Sequence, residues 1–339
     1  MCKAEGIRAV ATSRLTTRSP AETAEGSYLA HMIVTASVLL QSTTLAVTLS
    51  NTLGGEISSN SSPAPDDMGA VVEVGILAIA MIASIAACWR WRFLTVPSEA
   101  SGRIPVDPPI GALAMLSIYV LGIICASVVS GVLPESTRSD PDWSRLILGV
   151  LANTFQCVGA IGFLVSRLAV QGPRACATTP RALKEGAIGF IVVVPLVFAV
   201  AAMLGALLPV FGLPKAPEVS HKTLEILRAK SDALFTWTTL AHVVVLVPLA
   251  EELLWRGLMQ PSMRAVGLPP MAAILATSAL FAAIHWTSIP DAGRVTGLAM
   301  LVLLSTALGI LRDRTGGVLA PALAHGLFNA MNVAMALRS

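Results

Sequence analysis

Apolar residues in this chain come in long continuous blocks, not in the alternating pattern of a half-buried strand or the one-sided stripe of a surface helix. Blocks near 29–49, 70–89, 110–133, 146–166, 186–211, 236–257, 270–288, 294–312 and 317–337 each approach the ~20 residues a helix needs to cross a bilayer. Nine spans are predicted. The first block carries His31, Gln41 and several threonines, so eight is the alternative count. Blocks of this length exclude an outer-membrane barrel, whose strands alternate apolar and polar residues. Their spread along the chain excludes a soluble enzyme with a single anchor. Lipid offers the backbone no hydrogen-bond partners, so the expected fold class is all-α, a polytopic transmembrane helical bundle.

Composition sharpens this reading. Of 339 residues, 55% are hydrophobic and 13% charged, and the mean hydropathy is +0.74. A soluble domain carries about 25% charged residues, so roughly half of the usual solvating charge is missing. The net charge of +3 is spread over short loops with no basic tract, which argues against a nucleic-acid partner. Cys2, Cys88, Cys125, Cys157 and Cys176 show no C-x-x-C spacing and read as small core residues.

The polar segments give organisation and orientation. Residues 1–26 read as a cytoplasmic tail, since a cleaved signal peptide would place its apolar core nearer the start. Basic residues follow alternate spans: Arg90, Arg92 and Arg103, then Arg167, Arg174, Arg181 and Lys184, then Arg256 and Arg264, then Arg312 and Arg314. Those loops are expected on the cytoplasmic side, with the N-terminus inside. The stretch 50–67 reads as a disordered Ser/Asn/Pro loop. In 214–231, Val219, Leu224 and Leu227 stand at helical spacing and predict an interfacial helix, with a solvated connector as the alternative.

Ionisable side chains at membrane depth are costly, and each is a candidate site residue until its partner is found. Glu73 and His31 lie close to span ends, where both can reach the interface. The last hundred residues differ: Glu251, Glu252 and Arg256 share one apolar block, Phe281 and His285 the next, and His325 and Asn329 the last. Glu252 and Arg256 are four apart and predict an ion pair on one helix face. Glu251 lies about 100° round the helix, free to meet another helix. Pro248 is expected to kink the helix beside the pair. Phe281 and His285 share the four-residue spacing, which places an aromatic wedge under the histidine. His325 and Asn329 present an imidazole and an amide on one face. His242, nine residues before Glu251 and on the opposite side of the helix, reads as a packing or interfacial residue. The midpoint of Glu251 and His285 falls in Gly267-Leu268-Pro269-Pro270, a turn signal, so the two helices should form an antiparallel hairpin with both side chains at similar depth.

A buried glutamate facing a histidine, with a second histidine and an asparagine nearby, is what hydrolysis of an amide requires. The carboxylate can take a proton from water, a histidine can hold that water, and N–H donors can stabilise the oxyanion. The same residues leave a metal reading open, with Glu251, His285 and His325 as the ligands of a catalytic zinc. No H-E-x-x-H is present, so zinc is disfavoured and no cofactor is assigned. No G-x-S-x-G supports a serine nucleophile.

EExxxR at Glu251, Glu252 and Arg256, FxxxH at Phe281 and His285, and HxxxN at His325 and Asn329, in that order, resemble the CPBP family of CAAX prenyl endopeptidases and their bacteriocin-processing and immunity-like relatives. The resemblance covers about 234–336. It divides the chain into the tail 1–26, a variable N-terminal set of transmembrane helices 27–233, and a catalytic-type transmembrane domain 234–339. It implies an intramembrane endopeptidase in which Glu251 activates water held by His285 while His325 and Asn329 form the oxyanion site. Glu252 and Arg256 would orient the first helix and could help bind substrate. Implied partners are membrane lipids and a membrane-associated peptide, prenylated in one branch of the family. Metal dependence stays open on the resemblance. Two other function classes compete: a non-catalytic adaptor or immunity protein that keeps the constellation, and a small transporter, against which stands the absence of a repeated half.

Overall fold

The computed structural model describes residues 67–95, 108–171, 177–212, 226–227 and 232–338. The tail, the first predicted span, the Ser/Asn/Pro loop and nearly all of 214–231 lie outside them. Among the described residues the chain is helical with no strand. The long helices are α1 (Asp67–Arg90), α2 (Pro108–Gly131), α3 (Pro141–Gln171), α4 (Thr179–Leu207), α5 (Ala233–Ala265), α6 (Pro270–Ile284), α7 (Arg294–Thr315) and α8 (Leu319–Arg338). Each coincides with one of the predicted spans. By length and composition, α2, α3, α4, α5 and the stretch Asp291–Thr315 suffice to cross a membrane, whereas α6 and the apolar part of α1 are shorter. The protein is thus an all-α polytopic membrane protein.

Burial runs in the sense expected of a chain in lipid. The face of α2 carrying Leu113, Leu116, Val120, Ile124 and Val128 is exposed although wholly apolar. Two apolar clusters hold the helices together. One joins α1, α4, α6, α7 and α8 through residues such as Cys88, Val193, Ile274, Leu308, Leu311 and Phe328. The other joins α2, α3, α5 and α6 through Met115, Cys157, Leu254, Leu258 and Phe281. The polar residues of α5 sit at the seam between the clusters.

Local chemistry sets the ends of the elements around that seam. Asp232 caps α5, its carboxylate accepting from the backbone N–H of Leu234 at 2.9 Å and of Phe235 at 3.3 Å. Trp143 on α3 donates to the same carboxylate at 3.3 Å, tying the two helices. Between α5 and α6, Gly267 takes φ +101°, a conformation open to glycine, and Pro269 precedes the first turn of α6. The expected antiparallel hairpin is present.

Helix α6 ends earlier than its apolar block. The backbone N–H of His285 donates to Ala282, and the His285 ring takes the Phe281 carbonyl instead, with Nδ1–H donating at 2.7 Å. The side chain thereby replaces the helical donor and closes the helix at Ile284. Fifteen residues span about 22 Å at helical rise, short of the ~30 Å hydrocarbon core. His285 is therefore placed by a helix end within the bundle.

Eight of the eleven basic residues counted for orientation fall into two groups. Arg256, Arg264 and Arg312 are buried, and Arg314 pairs with Glu185 at 3.1 Å. These four report packing and not loop charge. Arg90, Arg92, Arg181 and Lys184 are exposed and carry what remains of the charge asymmetry.

Candidate active site

Glu252 and Arg256 form the expected pair, Nη1 to Oε1 at 2.9 Å, and both side chains are fully buried. Charges without water need further partners. Arg256 Nη2 donates to the Ser305 carbonyl at 2.9 Å and to the Ser305 hydroxyl at 2.8 Å, and the guanidinium lies 5.1 Å from the centre of the Phe281 ring. Glu252 Oε1 also meets His325 Nδ1 at 3.0 Å. The pair thus links α5, α7 and α8.

Glu251 points away from this pair, as its position on the helix predicted. Its Oε1 faces His285 Nε2 and its Oε2 faces His325 Nε2, each at 3.7 Å. The two glutamates differ in access: the Glu251 and His285 side chains are 23% and 22% exposed, whereas Glu252 is 0% exposed. Adjacent carboxylates therefore have different surroundings, one locked in an ion pair and one partly exposed.

Both imidazoles are oriented by their other nitrogen. A carbonyl only accepts, so His285 Nδ1 must carry a proton toward Phe281. Glu252 Oε1 accepts from Arg256, and His325 Nδ1 likewise donates to it. In the neutral rings both Nε2 atoms then present a lone pair toward Glu251. Phe281 is the wedge anticipated from its spacing. It is 1% exposed, its ring centre lies 4.7 Å from that of His285 and 6.3 Å from that of His325, and Trp255 packs edge-on against it at 5.6 Å.

Asn329 reaches the backbone of α5. Its Nδ2 donates to the Val243 carbonyl at 2.9 Å. The kink expected at Pro248 takes the form of a π-helical turn over His242–Leu246, and a second such turn covers Leu253–Met259. His242 is a packing residue: Nε2 lies 2.9 Å from Asn153 Nδ2 on α3 and away from Glu251. Glu73 lies in α1, which shares its core cluster with α4, α6, α7 and α8.

Several residues supporting the site were not legible in sequence. Ser305 looks like any small residue of a spanning helix. Arg312 resembles a loop charge, yet it is buried and its Nε donates to the Arg256 carbonyl at 3.0 Å. Gln260 joins α7 through the Gly309 carbonyl at 3.0 Å and Asp313 at 2.9 Å. Gly326, between the two α8 site residues, allows α8 to approach α5 so closely that an added Cβ would lie 2.6 Å from the Val244 carbonyl oxygen. Only the buried ionisable residues Arg312 and Asp313 gave a signal, as charges beside an apolar block.

Glu251, His285 and His325 are the residues that would hold a metal. Their donor types suit zinc, and each imidazole is anchored through Nδ1 as in metal sites. Their carboxylate-to-imidazole separations are 3.7 Å, against about 3.3 Å on the edge of a tetrahedral zinc site. Among the described residues no group of three or more His, Cys, Asp or Glu is gathered closely enough to hold an ion.

No curated protein and no solved structure gives a significant match to the chain. Residues 233–331 match a family model described as type II CAAX prenyl endopeptidase, Rce1-like. That segment contains all seven residues of the three motifs together with Ser305, Arg312 and Gly326. The helices that build the site therefore lie in the segment that is similar to Rce1-like type II CAAX prenyl endopeptidases, and α1 to α4 precede that segment in this chain.

Proposed function

We propose that the protein is an intramembrane endopeptidase that hydrolyses a peptide bond in a membrane-associated substrate, with Glu251 as the base that activates water. The observation carrying this reading is the placement of one accessible carboxylate between two anchored imidazoles, beside a second carboxylate that is buried and neutralised. A distance of 3.7 Å is too long for a direct hydrogen bond. A water seated against the three groups can donate to the Glu251 carboxylate and to an imidazole Nε2.

The reaction then follows from these atoms. Glu251 takes a proton from the water as its oxygen bonds to the scissile carbonyl carbon. The resulting oxyanion needs an N–H donor, and passage of that proton from Glu251 to the facing His325 Nε2 creates one while Nδ1–H stays on Glu252. Collapse of the intermediate breaks the C–N bond as that proton passes to the leaving amine, by way of Glu251 or His285. The products are a carboxylic acid and an amine, which ionise to carboxylate and ammonium. A zinc ion on the same three residues would supply Lewis-acid activation of water, and none of these steps requires it.

The substrate class drawn from the domain family is a prenylated peptide ending in a CAAX-type sequence. Its lipid would share the bilayer with the exposed apolar faces of the helices. Cleavage of a quenched farnesylated CAAX peptide by the purified full-length protein tests the reaction. Loss of that cleavage in Glu251→Gln, with normal accumulation of the protein, is the expected result. Full cleavage by the variant would remove Glu251 from the role of base.

A further inference from the structure

Helix α5 opens into a π-helical turn on each side of Glu251, and the two openings share one hydrogen-bond arithmetic. At the first, the Val247 N–H donates to the carbonyl of His242, five residues back. An α-helix would have sent that N–H to Val243. The next donor in a π turn would be that of residue 248, which is proline and has none. The Val243 carbonyl is left with neither its α nor its π donor, and Asn329 on α8 donates to it at 2.9 Å.

The second opening repeats the pattern. The Gln260 N–H donates to Trp255, five residues back, and not to Arg256. The alternative donor would come from residue 261, again a proline. The Arg256 carbonyl is taken by Arg312 Nε on α7 at 3.0 Å. A neighbouring helix thus supplies a side-chain donor at both places where proline has removed the backbone one.

Each π turn amounts to one inserted residue in the helix. If a turn migrated past Glu251, the carboxylate would swing by about 100° and lose both imidazoles. The captured carbonyls mark where the turns stop.

We infer that Asn329 and Arg312 are positioning residues for Glu251, pinning the two π turns that flank it by taking up the α5 carbonyls that proline leaves without a donor. The catalytic part of this inference rests on the reading of Glu251 as the base. A mere packing role would not respond to the return of a backbone donor. Replacing Pro248 by alanine returns an N–H within reach of the Val243 carbonyl, and Pro261→Ala does the same for Arg256.

In the full-length protein, Asn329→Leu should lower kcat for the quenched farnesylated CAAX peptide by about 100-fold with KM little changed, the scale expected of a misplaced catalytic group. Adding Pro248→Ala should recover most of that loss. The pair Arg312→Met and Arg312→Met/Pro261→Ala should behave alike, and either pair suffices if a single variant of the other fails to accumulate. Hydrogen exchange of peptides covering 242–260 reads the same effect without substrate: faster in each single variant, slow again in each double. A double variant with restored exchange that stays as inactive as Asn329→Leu would place Asn329 on the substrate and overturn the inference. Unchanged exchange in the single variants would overturn it as well. Glu251→Gln, assayed alongside, separates the two readings: a wild-type rate there removes the base assignment, while rescued exchange still assigns both side chains to the turns.

Discussion

Removing Arg256 while keeping Glu252 should be among the most damaging changes available outside the reacting groups. Arg256→Met keeps the length of the side chain and removes its charge. Glu252, 0% exposed, would retain a negative charge with the His325 N–H as its remaining partner in the pair network. Breaking a buried pair by removing one partner costs about 3–5 kcal/mol, because the other charge stays out of water. The lost bonds to the Ser305 carbonyl and hydroxyl lie within that figure, since their acceptors are left buried. Glu252→Gln added to Arg256→Met removes the uncompensated charge and keeps an oxygen able to accept from His325. The double variant should therefore be more stable than the single, with a coupling of about 2–3 kcal/mol. Equilibrium unfolding in mixed micelles, followed through tryptophan fluorescence, measures this, since Trp255 is buried against Phe281. A single variant within about 1 kcal/mol of wild type, or a double that merely adds two losses, would refute the claim that this is a desolvated pair.

Three further outcomes follow from the same geometry. Gly326→Ala would force a Cβ to 2.6 Å from the Val244 carbonyl oxygen, so α8 must shift against α5 and cleavage should fall sharply; an unaffected rate would show that the helices do not approach so closely. Phe281→Ala should cost about 3–5 kcal/mol of stability as a large buried ring is deleted, and should lower kcat by loosening both histidines; unfolding and peptide cleavage measured on one preparation check the two effects together. Treatment with a strong chelator should leave peptide cleavage unchanged if side chains alone activate the water, whereas loss of activity restored by zinc would transfer that role to a metal on Glu251, His285 and His325.

Much of this architecture was readable from the chain because lipid makes one rule dominant: backbone polar groups must be satisfied within a segment, so a long apolar block is a helix. The α5–α6 hairpin was legible from Gly267 and Pro269, and the roles of Glu251 and Glu252 from their angular separation. The end of α6 was not. The His285 ring substitutes for a backbone donor there, and hydropathy carries no sign of it. The same blindness hid the π turns, since Pro248 announced a disturbed helix without saying which carbonyl would be freed or which helix would answer. Arg312 and Ser305 were missed because their importance lies in contacts across the bundle, with partners 56 and 49 positions away. Arg256, Arg264 and Arg312 were counted with the loop charges for the related reason that burial cannot be read from adjacency to a span end.

The central claim, that Glu251 serves proteolysis, is tested most directly without choosing a substrate. Peptide termini in membranes of cells producing the native chain are compared with those from cells producing Glu251→Gln at equal abundance. Termini present with the native chain and missing with the variant are the predicted result, and they would identify the bond that is cut. Identical sets of termini would contradict the account and leave the constellation as the frame of a protein that binds without cutting.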